Sequence, residues 1–307
     1  MPFDLTAFDL SAFNFTAYVA EHRALTDRAL DIYLPDAHAL PPRLHEAMRY
    51  SLFCGGKRLR PLLVFAGAEA VGGDLEWVIP LACAVECIHT FSLIHDDLPA
   101  IDDDDLRRGS PTSHVVYGEA MAILAGDALL ALAFDLIAEC RVHVPADRVL
   151  DAAQMVARAS GTRGMVGGQV SDIESEGLDD LGIATVASIH ARKTGALLLA
   201  SLLSGARLCG ATPAQEYALH TYGTQTGLAF QITDDILDLE GDAEKLGKPL
   251  GSDLKQDKAT YPKILGIDAS RALARRAAGD ALAALENFGP EADPLRALAH
   301  YIVERDS

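Results

Sequence analysis

Acidic side chains are concentrated in one short segment that could bind a cation. Asp96 and Asp97 are followed closely by four consecutive aspartates at 102–105. These six carboxylates lie within ten residues and repel one another, which destabilises the chain unless cations or solvent intervene. Taken alone, the run would fit a solvated acidic loop. A calcium loop of the EF-hand type is excluded, because Arg107 and Ser113 stand where glycine and a bidentate glutamate are needed.

A second acidic segment follows within a predicted helix. Three aspartates lie three, four and seven residues after Gln231, and these offsets predict one shared helix face. They are Asp234, Asp235 and Asp238. Carboxylates on an otherwise apolar helix are costly to desolvate. Two such helices facing each other would form an oxygen-lined pocket suited to Mg²⁺.

Positively charged residues occur near both acidic segments. They are Lys57, Arg58, Arg60, Arg107, Arg108, Lys193, Lys248 and Lys258. Lys193 or Lys248 alone would be an ordinary surface charge, and the arginines could be partners of nearby aspartates. A bound multiply charged anion explains the whole set, because arginine pairs bidentately with phosphate and lysine acts as a point charge. The glycines before Lys57 do not form a Walker loop, since the Gly-Lys-Ser/Thr ending is missing.

Apolar residues recur with helical spacing along the chain, so the sequence predicts that helices position the acidic and basic residues. One stripe consists of Leu81, Val85, Ile88, Ser92 and His95, and it ends near Pro99. Similar patterns predict helices over 119–140, 145–160, 183–203, 213–239 and 269–288. No run of alternating strands, flexible linker or internal repeat is present in the sequence. We therefore expect one all-α domain over 21–307, preceded by an extended segment over 1–20.

Composition supports a soluble helical protein and excludes other classes. Of the 307 residues, 50% are hydrophobic and only 6% aromatic, which favours helices over a β-sandwich or barrel. The formal net charge of −18 argues against nucleic acid as a partner and against an anionic membrane surface.

Cysteine and hydropathy patterns predict a cytoplasmic location without a stable membrane anchor. The five cysteines are odd in number and scattered, so free thiols in a helical core are expected. No signal peptide fits the first residues, because the first basic residue is Arg23. Asp127 and Asp135 interrupt the apolar stretch 121–138, which argues against a transmembrane helix.

Together these motifs resemble those of the short-chain trans-polyprenyl diphosphate synthases, of the bacterial farnesyl diphosphate synthase type. The resemblance extends from about Leu25 to the C-terminus and is strongest over 92–99 and 107–112. Supporting motifs match at 56–61, 168–172, 193–195, 247–248 and 261–262. The family implies an isoprenoid-synthase-type helical bundle with a central active-site cavity, and a homodimer.

The resemblance also implies roles for individual residues. About three Mg²⁺ ions, with Mn²⁺ as an alternative metal, would be held on the allylic diphosphate by the metal ligands Asp96, Asp102 and Asp234. The same diphosphate would be bound by Arg107, Lys193, Lys248 and Lys258. Isopentenyl diphosphate would be bound by Lys57, Arg60, His89 and Arg108. The catalytic set would be the three metal ligands with Lys193, Thr194 and Gln231, of which Thr194 and Gln231 would lie beside the allylic chain. Contacts to the ligands or to metal-bound water would come from Asp97, Asp235, Asp238, Gln169 and Asp172.

The spacing supports the assignment of His89 independently. His89 and Asp96 are seven residues apart and therefore share one helix face. A lone histidine in an apolar helix is more often a core residue. On the face that carries the metal cluster, it becomes a candidate donor to a diphosphate.

The implied reaction is ionisation of an allylic diphosphate followed by condensation. Dimethylallyl or geranyl diphosphate would lose its diphosphate, and isopentenyl diphosphate would attack the allylic cation in a dry apolar pocket. Phe91 and Ser92 precede Asp96 by about one turn, and a bulky Phe91 would close the floor of the elongation pocket. By resemblance to the family, an aromatic residue at this place implies a C15 product, (2E,6E)-farnesyl diphosphate. Geranylgeranyl diphosphate is the alternative, since four residues separate Asp97 from Asp102, as also occurs in such synthases.

Three other classes fit less well. A class I terpene cyclase would carry an Asn/Ser/Glu second motif and would lack the Lys57, Arg60 and His89 site. A non-catalytic subunit of a heteromeric synthase would lack one aspartate motif. An acidic helical scaffold protein would leave the basic residues unexplained.

Overall fold

The computed structural model describes residues 13–178, 182–240 and 260–304. The helices in these ranges are α1 (Phe15–Tyr33), α2 (Pro42–Phe53), α3 (Leu59–Glu69), α4 (Ile79–Asp96), α5 (Ser113–Tyr117), α6 (Glu119–Glu139), α7 (Ala146–Ser160), α8 (Met165–Ser175), α9 (Ile183–His190), α10 (Ala196–Leu208), α11 (Pro213–Glu240), α12 (Tyr261–Leu265), α13 (Ile267–Ala284) and α14 (Asp293–Glu304). The predicted all-α class is confirmed. The described residues hold one small hairpin, in which β1 (Leu106–Arg107) pairs antiparallel with β2 (Ser110–Pro111).

The predicted boundary at residue 20 is wrong, because α1 begins at Phe15. The Asn14 side chain accepts a hydrogen bond from the backbone N–H of Ala17 at 3.0 Å and caps the helix. Phe15 then packs its ring against Tyr301 of α14, with ring centroids 5.5 Å apart. An N-terminal cap and an aromatic contact thus extend the helix into part of the segment expected to be extended.

The core is centred on α4, which is buried along most of its length. It packs on α6 and α3, and a second cluster forms where α3, α10, α11 and α13 meet. Glycines allow α3 and α10 to cross closely. A Cβ atom on Gly67 would lie 2.3 Å from the Leu202 carbonyl oxygen, and one on Gly205 would lie 2.2 Å from that of Val64.

Two described helical stretches are long and apolar enough to cross a membrane by length and composition. The most apolar 18 residues of Leu75–Asp96, which contains α4, are 72% buried inside the protein, and this is the core helix. The corresponding 18 residues of Glu119–Val142, which contains α6, are 39% buried. Its exposed side chains include Ile123, Leu124 and Phe134. The second stretch therefore leaves an apolar face uncovered in the single chain.

Candidate active site

The chain reverses direction within the first aspartate segment, at the end of α4. Pro99 follows the last turn, and the backbone N–H of Asp102 donates to the Asp96 carbonyl at 2.8 Å. The fold therefore returns Asp102 toward Asp96. Burial raises the pKa of Asp96 to about 6; the cations Lys193 and Arg107 oppose the shift, and the nearby carboxylates Asp102 and Asp97 add to it.

Arg107, in β1, is an ion-pair partner of the first aspartate segment. Its Nε donates to Asp97 Oδ1 at 2.6 Å, Nη2 contacts the same oxygen, and Nη2 lies 3.7 Å from Asp104 Oδ2. These pairs hold the hairpin on the end of α4. Asp97 is consequently buried, while Arg107 remains close enough to Asp96 for their charges to interact. In the structure, Arg107 is therefore a partner of nearby aspartates, which is the simpler of the two explanations that the sequence allowed.

A π-helical turn, Ala191–Gly195, carries Lys193 and Thr194. The wider turn interrupts the helix predicted over 183–203, and such turns often occur at functional sites. Lys193 Nζ donates to Asp172 Oδ2 of α8 at 2.6 Å. The charges of Asp172, Asp96 and Asp102 raise the pKa of Lys193 against the opposing effect of burial. Lys193 is therefore a cation held between α8 and the first aspartate segment.

Close packing of α8 on the π-turn depends on Gly168. A Cβ atom at Gly168 would lie 2.3 Å from the backbone nitrogen of Lys193. The next residue, Gln169, buries both side-chain amide atoms without a hydrogen-bond partner among the described residues. Buried amides are normally paired, so Gln169 needs a partner that a ligand or water could supply.

A second cationic group lies around His89 on α4 and includes Arg60 and Arg108. Arg60 Nε and His89 Nδ1 are buried and have no hydrogen-bond partner within the described part of the chain. Burial lowers the pKa of Arg60 to about 10. Burial, and then the charges of Arg60 and Arg108, lower the pKa of His89 well below its usual value. His89 is therefore a neutral imidazole with an available ring nitrogen beside two guanidinium groups.

The loop before α3 brings Arg108 to this group. Arg108 has a φ of 54°, and its Nη1 donates to the Gly55 carbonyl at 2.5 Å. A Cβ atom on Gly56 would lie 2.5 Å from the same nitrogen, and Gly56 itself has a φ of 122°. Glycine is therefore favoured there by its backbone conformation, and an added Cβ would displace the Arg108 guanidinium. Lys57 is exposed beside this contact.

The second aspartate segment lies within one continuous helix, so its residues share a face as predicted, but their surroundings differ. Asp235 is buried, and its Oδ2 accepts a hydrogen bond from the backbone N–H of Tyr261 at 2.9 Å. Asp238 is buried as well, whereas Gln231 and Asp234 are only half-buried. The charge of Asp234 partly offsets the lowering of the Arg60 pKa by burial. Asp234 therefore lies within charge range of the second cationic group, and Asp235 holds α12 on α11.

The structure also identifies a residue that sequence reasoning missed. His190 Nε2 lies 3.9 Å from Asp235 Oδ1. Burial nevertheless dominates and lowers the pKa of His190 to about 4, so the imidazole is neutral. In the sequence, only its position five residues before Gly195 connected His190 with the motif that contains Lys193. Lys248 and Lys258 lie outside the described residues.

The donor set fits Mg²⁺, although not as a cage made by protein alone. Within the described ranges, no group of three His, Cys, Asp or Glu side chains converges to hold a metal. Mg²⁺ is commonly bound by one or two carboxylates together with substrate phosphates and water. The half-buried Asp96 beside Asp102, with Asp234 on α11, offers carboxylates for that mode of binding.

Phe91 and Ser92, which were predicted to limit chain length, both lie on α4. The Phe91 ring is buried and packs edge-on against His95, with centroids 4.8 Å apart. Ser92 Oγ donates to the His89 carbonyl at 2.8 Å.

A cavity of about 550 Å³ lies elsewhere, between α1, α3 and α14, and Lys57 is the predicted site residue that lines it.

Comparison with known proteins identifies the family to which the chain belongs. The polyprenyl synthetase family matches residues 41–287. A dimethylallyltranstransferase of Fischerella ambigua is 49% identical over 94% of this chain and 83% of its own. A geranylgeranyl diphosphate synthase of Cyanophora paradoxa is 47% identical over 94% and 96%. The crystal structure of an FPP/GFPP synthase from Zymomonas mobilis superposes with a TM-score of 0.86 at 40% identity, covering 95% and 99% of the chains. The chain therefore belongs to the polyprenyl synthetase family and is a prenyltransferase that uses isoprenoid diphosphates.

Proposed function

We propose that the protein condenses isopentenyl diphosphate head-to-tail with dimethylallyl and then geranyl diphosphate. The observation that carries the proposal is the pair of separate cationic groups at α4. One contains Lys193 and Arg107 beside Asp96, and the other contains Arg60 and Arg108 beside the neutral His89. Two anionic substrates need two such groups.

The allylic diphosphate belongs at the first group. Asp96, Asp102 and Asp234 would hold Mg²⁺, which supplies positive charge to the departing diphosphate. Lys193 and Arg107 bind the same phosphate oxygens and favour cleavage of the carbon–oxygen bond, with the electron pair leaving on the diphosphate. Lys248 and Lys258 are proposed to assist there.

Isopentenyl diphosphate belongs at the second group. Arg60 and Arg108 bind its phosphates with Lys57, and the neutral His89 donates one N–H to a phosphate oxygen. Its double bond forms the new carbon–carbon bond to the allylic carbon, and the departing diphosphate takes the released proton. Thr194 and Gln231 lie beside the allylic chain in this proposal, and Gln169 and Asp172 contact metal-bound water.

We propose (2E,6E)-farnesyl diphosphate as the product. Phe91 supports it, because a buried aromatic ring near the end of α4 would limit the depth available to a growing chain. Geranylgeranyl diphosphate is the second candidate. The relatives from Cyanophora paradoxa and Catharanthus roseus, the latter 50% identical, are named geranylgeranyl diphosphate or pyrophosphate synthases.

Assembly and location are part of the proposal. A second copy of the chain would cover the apolar side chains that α6 exposes at Ile123, Leu124 and Phe134. All five cysteines are free, which supports a reducing, cytoplasmic location.

A product assay tests the proposed reaction and its chain length together. Purified protein is incubated with labelled isopentenyl diphosphate and, separately, dimethylallyl, geranyl or farnesyl diphosphate, with and without Mg²⁺. We expect a metal-dependent C15 alcohol after dephosphorylation from the first two primers, with farnesyl diphosphate inert. A C20 alcohol would replace the product assignment, and no condensation with any primer would overturn the reaction.

A further inference from the structure

Arg58 stands between Lys57 and Arg60 in the sequence, but its guanidinium is bound by groups of the protein itself. Arg58 is only 4% exposed, whereas its neighbour Lys57 is exposed. Its backbone has a φ of 51°, and its carbonyl accepts the first hydrogen bond of α3, from Leu62, at 3.0 Å. A left-handed conformation is unusual for arginine and needs support from the surroundings.

The support comes from three partners on three helices. Arg58 Nε donates to Asp27 Oδ1 of α1 at 2.8 Å, and Nη1 donates to Glu86 Oε1 of α4 at 2.8 Å. Nη2 donates to the Leu52 carbonyl of α2 at 2.7 Å. A planar guanidinium can make these three bonds at once, and a lysine ammonium cannot reproduce their geometry.

Glu86 is placed to serve the second cationic group as well. It is 1% exposed and precedes His89 by one turn of α4. Its second carboxylate oxygen, Oε2, is buried without a hydrogen-bond partner in the described residues. Its negative charge acts on both Arg60 and Arg108. Glu86 is thus a buried anion among cations that are assigned to a substrate phosphate.

We propose that Arg58 and Glu86 are positioning residues for the second diphosphate. Their buried ion pair fixes the turn from which Lys57 and Arg60 extend, and neither contacts the reacting atoms. The inference rests on the proposed function for the identity of that diphosphate. It predicts that the pair determines affinity for isopentenyl diphosphate while leaving the allylic site and the chemical step largely unchanged.

Arg58→Lys and the milder Glu86→Gln test the inference, with Arg296→Lys as the matched control. Arg296 is 3% exposed and is also bound to a carboxylate, Asp293, and to backbone carbonyls, but it lies on α14. We expect the KM for isopentenyl diphosphate to rise about tenfold in both test variants, with kcat and the allylic KM within about twofold. Arg296→Lys should lower the melting temperature without changing either KM.

The dissociation constant for isopentenyl diphosphate, measured by calorimetry, separates this inference from the proposed reaction. Weaker binding in Arg58→Lys and Glu86→Gln supports the inference even if the wild-type protein shows no turnover, which would overturn only the reaction. The inference is overturned if the folded variants bind isopentenyl diphosphate as tightly as the wild type. It is also overturned if kcat falls while both KM values rise together. Wild-type protein that binds no isopentenyl diphosphate overturns both. If Arg58→Lys does not fold, Glu86→Gln alone decides.

Discussion

Lys193 and Asp172 form an ion pair across two helical segments, with Nζ 2.6 Å from Oδ2. The pair joins the π-turn to α8 and holds the lysine within the field of Asp96. A half-buried cation retained in this way is already oriented before substrate arrives. Preorganised charge of this kind stabilises a developing anion more effectively than a mobile surface lysine.

Removal of the Lys193 charge should impair the chemical step. We expect Lys193→Ala to lower kcat by roughly 10²–10³-fold, because the departing diphosphate loses a fixed cation. Asp172→Asn should have a smaller effect, since the lysine remains but is less well held. Steady-state kinetics would measure both, with the exposed Arg163→Ala as a control that keeps full activity. An active Lys193→Ala enzyme would contradict the role.

Loss of Asp96 or Asp234, two of the three aspartates assigned to the metal, should abolish turnover without unfolding the chain. Asp96→Ala removes a carboxylate whose pKa burial raises to about 6, so the folded state loses a group that is costly to desolvate. We expect its melting temperature to be equal to that of the wild type or higher. Asp234→Ala should also be inactive and folded. The exposed Asp135→Ala is the control, and activity retained in Asp96→Ala would refute the metal assignment.

Shortening Phe91 should lengthen the product. Phe91→Ala opens space one turn from Asp96, and we expect C20 alcohol to replace part of the C15 alcohol. The ring is buried, so the free energy of unfolding should fall by about 3–5 kcal/mol. Phe91→Leu should show the same trend with less destabilisation. An unchanged product from a folded variant would place the floor of the pocket elsewhere.

His190 should make the protein less stable in acid. Its pKa is about 4 in the folded chain because of burial, against about 6.5 when unfolded. The unfolded state therefore binds the extra proton first, and stability present above pH 6.5 is lost progressively as the pH falls toward 4. The loss is about 3 kcal/mol at most. Denaturant unfolding across this range should show a shallower pH dependence in His190→Gln; equal slopes would contradict the assignment.

Charge on the apolar face of α6 should prevent the proposed self-association. We expect Leu124→Asp to shift the protein from dimer to monomer in light scattering coupled to size exclusion. Leu124 is 54% exposed in the single chain, so the substitution should not disturb the core. Leu150→Asp on α7, at 70% exposure, is the matched control and should leave the mass unchanged. A wild-type monomer would refute the dimer.

Sequence reasoning predicted the helices and both aspartate segments because these depend on local patterns. Periodicity specifies which residues of a helix share a face, and Pro99 marks the end of the apolar stripe of α4. In α11 the same local rule places Asp234 and Asp235 on one face but says nothing of their different surroundings. It could not indicate that the Tyr261 amide would be the partner of Asp235, because that contact joins residues 26 positions apart.

Tertiary structure alone decided which charges are structural and which are available to a substrate. Arg58 and Arg60 are equivalent by charge and spacing, but burial against Glu86 and Asp27 assigns the first to an ion pair. Arg60 Nε is left buried without such a partner in the described chain. The reason is physical: desolvation and pairing depend on which helices meet, and a one-dimensional pattern carries the types of charged residue but not their neighbours.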